Sequence, residues 1–147
     1  MRAAGAGKKV FMGQFIKGMH YSELDALAAI PDITVKQYGR GCFIYSKPGP
    51  EDYTAALAGL AEIGSLLHSG EYDMVVLDEA NIALYFGLFN FEALKTILMN
   101  RASHVEVILT GRHAPQELID LADLVTEMKE IKHYYTRGIE ARTGIEK

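Results

Sequence analysis

The sequence predicts an α/β domain of three layers, a mostly parallel sheet with helices on both faces. Three observations predict it. Two short runs, Met74-Val-Val-Leu77 and Val105-Glu-Val-Ile-Leu109, are almost wholly apolar, the pattern of strands buried on both faces of a parallel sheet. Stretches with apolar residues at helical spacing lie between the strand-like runs, as crossover helices do. The chain has 147 residues, 49% of them hydrophobic and 23% charged, which suits one domain with a buried core.

Each element follows in order. Residues 9–16 are rich in apolar and β-favouring side chains and are bounded by Gly7 and Gly18, so they read as a buried strand. Gly5 and Gly7 then mark the turn between a helix end and that strand. Ile33-Thr-Val-Lys-Gln-Tyr38 alternates like a more exposed strand, and residues 39–50 are turn-rich. Tyr53, Leu57, Leu60, Ile63, Leu66 and Leu67 recur at helical spacing, with Gly70 as the stop signal. Met74 to Leu77 is the next strand, residues 91–100 a helix, and residues 105–109 a further strand. Pro115 suits the first position of a helix running to Ala122. Leu124-Val-Thr-Glu-Met128 reads as one more short strand, and residues 131–147 have no clear period. Repeats and linkers are absent, so residues 1–147 form a single domain.

Composition excludes several functions. Fifteen basic against nineteen acidic residues leave a net charge of −4, which rules out a broad nucleic-acid-binding face. Cys42 is the only cysteine, so neither an intrachain disulfide nor a thiolate-rich zinc site forms. The longest uncharged stretch, residues 80–91, is well short of the ~18 residues a membrane span needs, and no cleavable signal pattern opens the sequence. A soluble, cytoplasmic domain is expected.

Ligands of parallel sheets bind beyond the carboxyl ends of the strands. Three polar groups fall there: Gln14 to Lys17, Asp78-Glu79, and Gly111-Arg112. Val75-Val-Leu-Asp-Glu79 has the form of a Walker B segment, which brings carboxylates to the sheet edge to hold magnesium against nucleotide phosphates. The same pattern also describes many ordinary strand ends. A matching Gly-x-x-x-x-Gly-Lys-[Ser/Thr] loop is absent; in the nearest string, Arg2 replaces the first glycine and Lys9 the hydroxyl residue. Arg112 either forks to phosphate or ribose oxygens or pairs with Glu117 or Asp120. The five histidines show no metal-ligand spacing and read as surface residues, and there is no Gly-x-Ser-x-Gly elbow. No side chain is singled out as catalytic. Tyr85, Phe86, Phe89 and Phe91 suit a core or a subunit interface and leave room for a flat apolar ligand.

Four stretches together carry a family resemblance. They are Arg2-Ala-Ala-Gly-Ala-Gly-Lys-Lys-Val10 with Gln14-Phe-Ile-Lys-Gly18; Tyr72-Asp-Met-Val-Val-Leu-Asp-Glu79; Leu109-Thr-Gly-Arg-His-Ala-Pro-Gln-Glu-Leu118 with Asp120-Leu-Ala-Asp-Leu-Val-Thr-Glu127; and Lys132-His133 with Gly138-Ile and Gly144-Ile-Glu146. In this order they resemble the ATP:corrinoid adenosyltransferases of the P-loop type, which move the 5′-deoxyadenosyl group of ATP onto Co(I) of a corrinoid in adenosylcobalamin formation. The resemblance implies a P-loop NTPase (RecA-like) fold, magnesium as cofactor, and ATP and a corrinoid as substrates. It further implies a homodimer and a flavoprotein reductase as electron source. By resemblance, Glu79 with Asp78 holds the metal, Arg112, Gly111, Gln14 and Lys17 bind the nucleotide, and Phe43 and Tyr45 contact the corrin. Cobalt attacks the ribose C5′ and triphosphate leaves, so the protein's task is positioning and stabilising phosphate charge.

The sequence departs from the family twice. The family's first strand and phosphate loop should precede Met1 by a short helix and are missing, so ATP binding by these residues alone is expected to be weak. Loss of that strand should also uncover a central sheet edge. Second, Cys42 and Ile44 stand where a phenylalanine and a tryptophan are expected. The alternative to an enzyme is a family member that has lost ATP chemistry and binds a corrinoid or a protein.

Overall fold

The computed structural model describes residues 1–41 and 47–146. Cys42, Phe43, Ile44 and Tyr45, and with them both expected corrin contacts, lie outside the described residues.

Four strands form one sheet in the order β2-β1-β3-β4, every neighbour parallel. They are β1 (Val10–Gln14), β2 (Ile33–Gln37), β3 (Met74–Asp78) and β4 (Glu106–Leu109). Val10 lies opposite both Ile33 and Met74, and Met74 opposite Glu106. This register brings Gln14 level with Gln37 and Asp78, so the polar strand ends share one rim. Central β1 is buried along almost its whole length, whereas β2 alternates between half-buried and exposed positions. That difference matches the continuous and alternating patterns of the two segments.

The flanking helices are α1 (Arg2–Gly5), α2 (Ser22–Ala28), α3 (Pro50–Ser69), α4 (Ala80–Tyr85), α5 (Phe91–Met99) and α6 (Gln116–Leu121), with a 3-10 turn at Tyr134–Arg137. Helix α3 starts on Pro50 and ends against Gly70, whose φ of 67° is the left-handed cap a glycine adopts without strain. It buries Ala56, Gly59, Leu60, Ile63 and Leu67 against the sheet core. Phe15, Ile63, Leu67, Val75, Leu77 and Leu94 are among its fully buried side chains. Each contributes roughly 1.5–3 kcal/mol relative to exposure. Among the described residues no helix is long and apolar enough to cross a membrane.

Two expectations need correction. Pro115 is the cap before α6 rather than its first residue, with an extended ψ of 153°, and its carbonyl accepts from Leu118 and Ile119. Residues 124–128 form no strand. A strand needs a neighbour to satisfy its backbone; among the described residues these have no strand partner, and Leu124 and Met128 stay 86% and 94% exposed. β4 pairs only with β3 among the described residues, leaving its other edge open.

Candidate functional site

Three strands end at the rim, and each turns away through a strained residue. Ile16 after β1, Glu79 after β3 and His113 after β4 have φ of 67°, 58° and 62°. They are the described non-glycine residues with positive φ, a conformation costing of order 1–3 kcal/mol each where the surroundings enforce it. Lys17 N donates to Phe15 O at 2.7 Å, closing a three-residue γ-turn around Ile16. All three residues line one cleft of about 720 Å³.

The γ-turn sends the Lys17 ammonium to Asp78 Oδ2 at 3.2 Å and to Glu23 Oε1 at 3.4 Å. Burial opposes its charge, but Asp78 and then Glu23 outweigh that and hold Lys17 above the ordinary lysine value. Asp78 is further occupied. Its Oδ2 accepts from Gln14 Nε2 at 3.1 Å and its Oδ1 from Thr110 Oγ1 at 2.8 Å. Gln14 is completely buried and accepts in turn from Gln37 Nε2.

Glu79 differs. Among the described residues no hydrogen bond engages its carboxylate, which lines the cleft. Burial raises its pKa above the ordinary value and the Asp78 charge adds to this, while Lys17 and Arg112 pull it back.

Thr110, Gly111 and Asn81 lock the ends of β3 and β4 together. Glu79 N donates to Thr110 Oγ1, Asn81 N to Thr110 O, and Asn81 Nδ2 to Gly111 O. Gly111 has φ of 120°, and a Cβ there would stand 3.2 Å from both Glu79 Oε2 and Asn81 Cβ. The close approach delivers Arg112 to the cleft beside Glu79. Arg112 forms no ion pair with Glu117 or Asp120; Asp120 accepts from Gln116 Nε2 at 2.7 Å instead.

The structure therefore sorts the residues expected at the site. Lys17, Glu79 and Arg112 line the cleft, Gln14 and Asp78 support them from behind, and Gly111 makes the turn. The apolar part of the lining is Ile16, Ile82, Tyr85 and Phe86, and Gly144, Ile145 and Glu146 of the tail also line the cleft. Glu146 is held there by Arg142 at 2.8 Å and by the Tyr134 hydroxyl. Sequence reasoning did not pick out Thr110, Asn81 or the tail clasp. His113 is exposed, as its reading as a surface residue expects, and it also stacks on Tyr85 with ring centroids 4.4 Å apart, which that reading did not include. Its position directly after Arg112 was the available signal.

Among the described residues no group of three or more His, Cys, Asp or Glu is placed to hold a metal ion. One open carboxylate beside a second is nonetheless a fitting donor set for magnesium, which takes one or two carboxylates and completes its shell with water and substrate phosphates.

Fold and cleft together define a parallel α/β protein with a charged pocket beyond its strand ends. The particular family is set by comparison with known proteins. The model of the ATP:corrinoid adenosyltransferase family BtuR/CobO/CobP matches residues 1–146. The chain is 34% identical over 147 residues to a corrinoid adenosyltransferase of Pseudomonas aeruginosa, covering 99% of this chain and 72% of that protein. It is 33% identical over 146 residues to the corrinoid adenosyltransferase CobA of Salmonella typhimurium, covering 99% and 74%. Over 146 residues it shares 31% identity with a corrinoid adenosyltransferase of Escherichia coli, again covering 99% and 74%. The chain belongs to the ATP:corrinoid adenosyltransferase family.

Proposed function

We propose that this chain performs the reaction for which its family is named, transfer of the adenosyl group of ATP to a corrinoid. The observation that carries the reading is the meeting of Lys17, Glu79 and Arg112 in one cleft at the sheet rim. Lys17 and Arg112 bind the triphosphate, whose charge must be stabilised as it leaves. Arg112 presents a fork of donors suited to phosphate oxygens, and Lys17 a point charge. Glu79, supported by Asp78, holds magnesium, which neutralises phosphate charge when bound. Asp78 keeps Lys17 aimed and charged. Ile16, Ile82 and Phe86 keep water from the reacting end of the nucleotide. Phe43 and Tyr45 meet the corrin. A homodimer, a flavoprotein reductase as electron source and a cytoplasmic setting rest on the family likeness alone.

Nothing in the fold or among the relatives favours the non-catalytic alternative. The test is formation of the light-labile cobalt–carbon product from ATP, magnesium and a reduced corrinoid. No Gly-x-x-x-x-Gly-Lys-[Ser/Thr] string occurs in the 147 residues, so the assay is run both on these residues and on a protein with a strand, phosphate loop and helix of that pattern added ahead of Met1. In that extended protein Glu79→Ala abolishes product; undiminished turnover removes Glu79 from the metal site.

A further inference from the structure

The geometry points to the stacked rings of Tyr85 and His113 as the platform that receives the purine base of the nucleotide, an assignment that rests on the nucleotide reading of the cleft. The two rings lie 4.4 Å apart at 24°, and both line the cleft. Tyr85 remains 63% exposed despite the stack, whereas its aromatic neighbour Phe89 is 4% exposed in the core. An exposed tyrosine beside a cleft, braced edge-on by Phe86 at 5.6 Å, is available to a planar ligand in a way a core aromatic is not.

His113 supplies the second observation. Its backbone has φ of 62°, a conformation that asparagine or glycine adopts with less strain. The strained histidine puts a ring against Tyr85, which neither of those residues would do. The cleft's charges then fix which ligand end goes where. Lys17, Glu79 and Arg112 supply the phosphate and cation end. Arg112 is the neighbour of His113, so a triphosphate held by Arg112 carries its nucleoside toward the Tyr85–His113 end. The outer face of the stack is a single aromatic ring, which suits a base and is much smaller than a tetrapyrrole face. Stacking of this kind tolerates any base, because every base has a π-face. The platform therefore gives affinity for a nucleoside over bare triphosphate without selecting strongly among purines.

The test uses the full chain and nuclear magnetic resonance, which reads weak binding. Magnesium-ATP and inorganic tripolyphosphate are titrated separately into the wild type, Tyr85→Leu, Tyr85→Phe and His113→Asn. The adenine H2 and H8 protons of ATP shift upfield on the wild type and on Tyr85→Phe. On Tyr85→Leu those shifts disappear and ATP affinity falls about tenfold, while tripolyphosphate affinity is unchanged. His113→Asn loses part of the shift and gains thermal stability by relief of strain. Equal weakening for ATP and tripolyphosphate, or adenine shifts that survive in Tyr85→Leu, overturns the platform. A corrinoid is titrated into the same four proteins; if Tyr85→Leu loses corrinoid binding with ATP binding intact, the rings belong to the corrin and the base assignment is overturned. A wild type whose spectrum responds to neither phosphate ligand overturns the nucleotide reading and the platform with it.

Discussion

Glu79 combines a left-handed backbone, φ 58°, with a half-buried carboxylate beside a second acid. Both features cost stability, as the proposed metal-binding role of Glu79 leads one to expect. An unfolded chain ionises this carboxyl near the ordinary value of 4.5, whereas burial and the Asp78 charge delay ionisation in the folded chain to a higher pH. Folding therefore loses stability as pH rises from the ordinary value toward the raised folded value, and the loss is complete above the latter. Glu79→Gln, which keeps the backbone strain and removes the charge, is expected to raise Tm by a few degrees at pH 7. The gain should vanish well below the ordinary carboxylate value, where wild-type Glu79 is protonated in both states. Thermal unfolding followed across pH checks this, and a gain that persists into acid would assign the effect to packing. Asp78 is the opposite case, its oxygens already engaged by Thr110, Gln14 and Lys17. The sequence shows two adjacent acids but not this division between them, because the partners of Asp78 come from the ends of two other strands, β1 and β4.

At the scale of elements, α3 meets β1 and the end of β2 through glycines. A Cβ on Gly59 would lie 2.5 Å from the Tyr38 ring, and one on Gly13 would lie 2.7 Å from Ile63 Cδ1. An exposed mid-helix glycine replaced by alanine gains about 1 kcal/mol. Gly59→Ala should instead lose roughly 1–3 kcal/mol by overpacking. Gly64→Ala, whose added Cβ would lie 2.8 Å from Ile97 Cγ2 and 3.4 Å from Ile97 Cβ, should lose less because Ile97 is only half-buried. Urea unfolding decides, and a stabilised Gly59→Ala would show that Tyr38 has room to move. The long elements were legible because their apolar periods are long: α3 repeats over 20 residues. Helix α4 was not, since six residues directly after β3 give less than two turns of pattern. The apolar run at 124–128 was legible, but nothing within it tells whether a partner edge lies beside it.

Across the whole molecule, the open edge of β4 is the least finished surface. Ile108 on that strand is 42% exposed, and Leu124, Val125, Met128 and Ile131 beyond α6 are also exposed. An unpaired parallel edge next to exposed apolar side chains is a template for strand addition. The chain is accordingly expected to self-associate in sedimentation velocity, and Ile108→Lys to suppress the association. A well-behaved monomer at high concentration contradicts the expectation. The same scale explains what was readable of the site. Polar groups at three strand ends predict one rim as soon as the sheet is parallel, and Lys17, Glu79 and Arg112 follow from that. The support by Asn81 and Thr110, the tail clasp and the Tyr85–His113 stack depend on loops crossing in space, which no local spacing records.

Manganese(II), a paramagnetic substitute for magnesium, tests most directly whether the Glu79 carboxylate faces a cation carried by nucleotide phosphate. Its electron paramagnetic resonance signal is followed with the chain and ATP at pH 7. An ATP-dependent bound fraction should form on the wild type, vanish in Glu79→Gln and shrink in Arg112→Ala. The same bound fraction on Glu79→Gln as on the wild type would contradict the proposal that this cleft grips a metal-nucleotide.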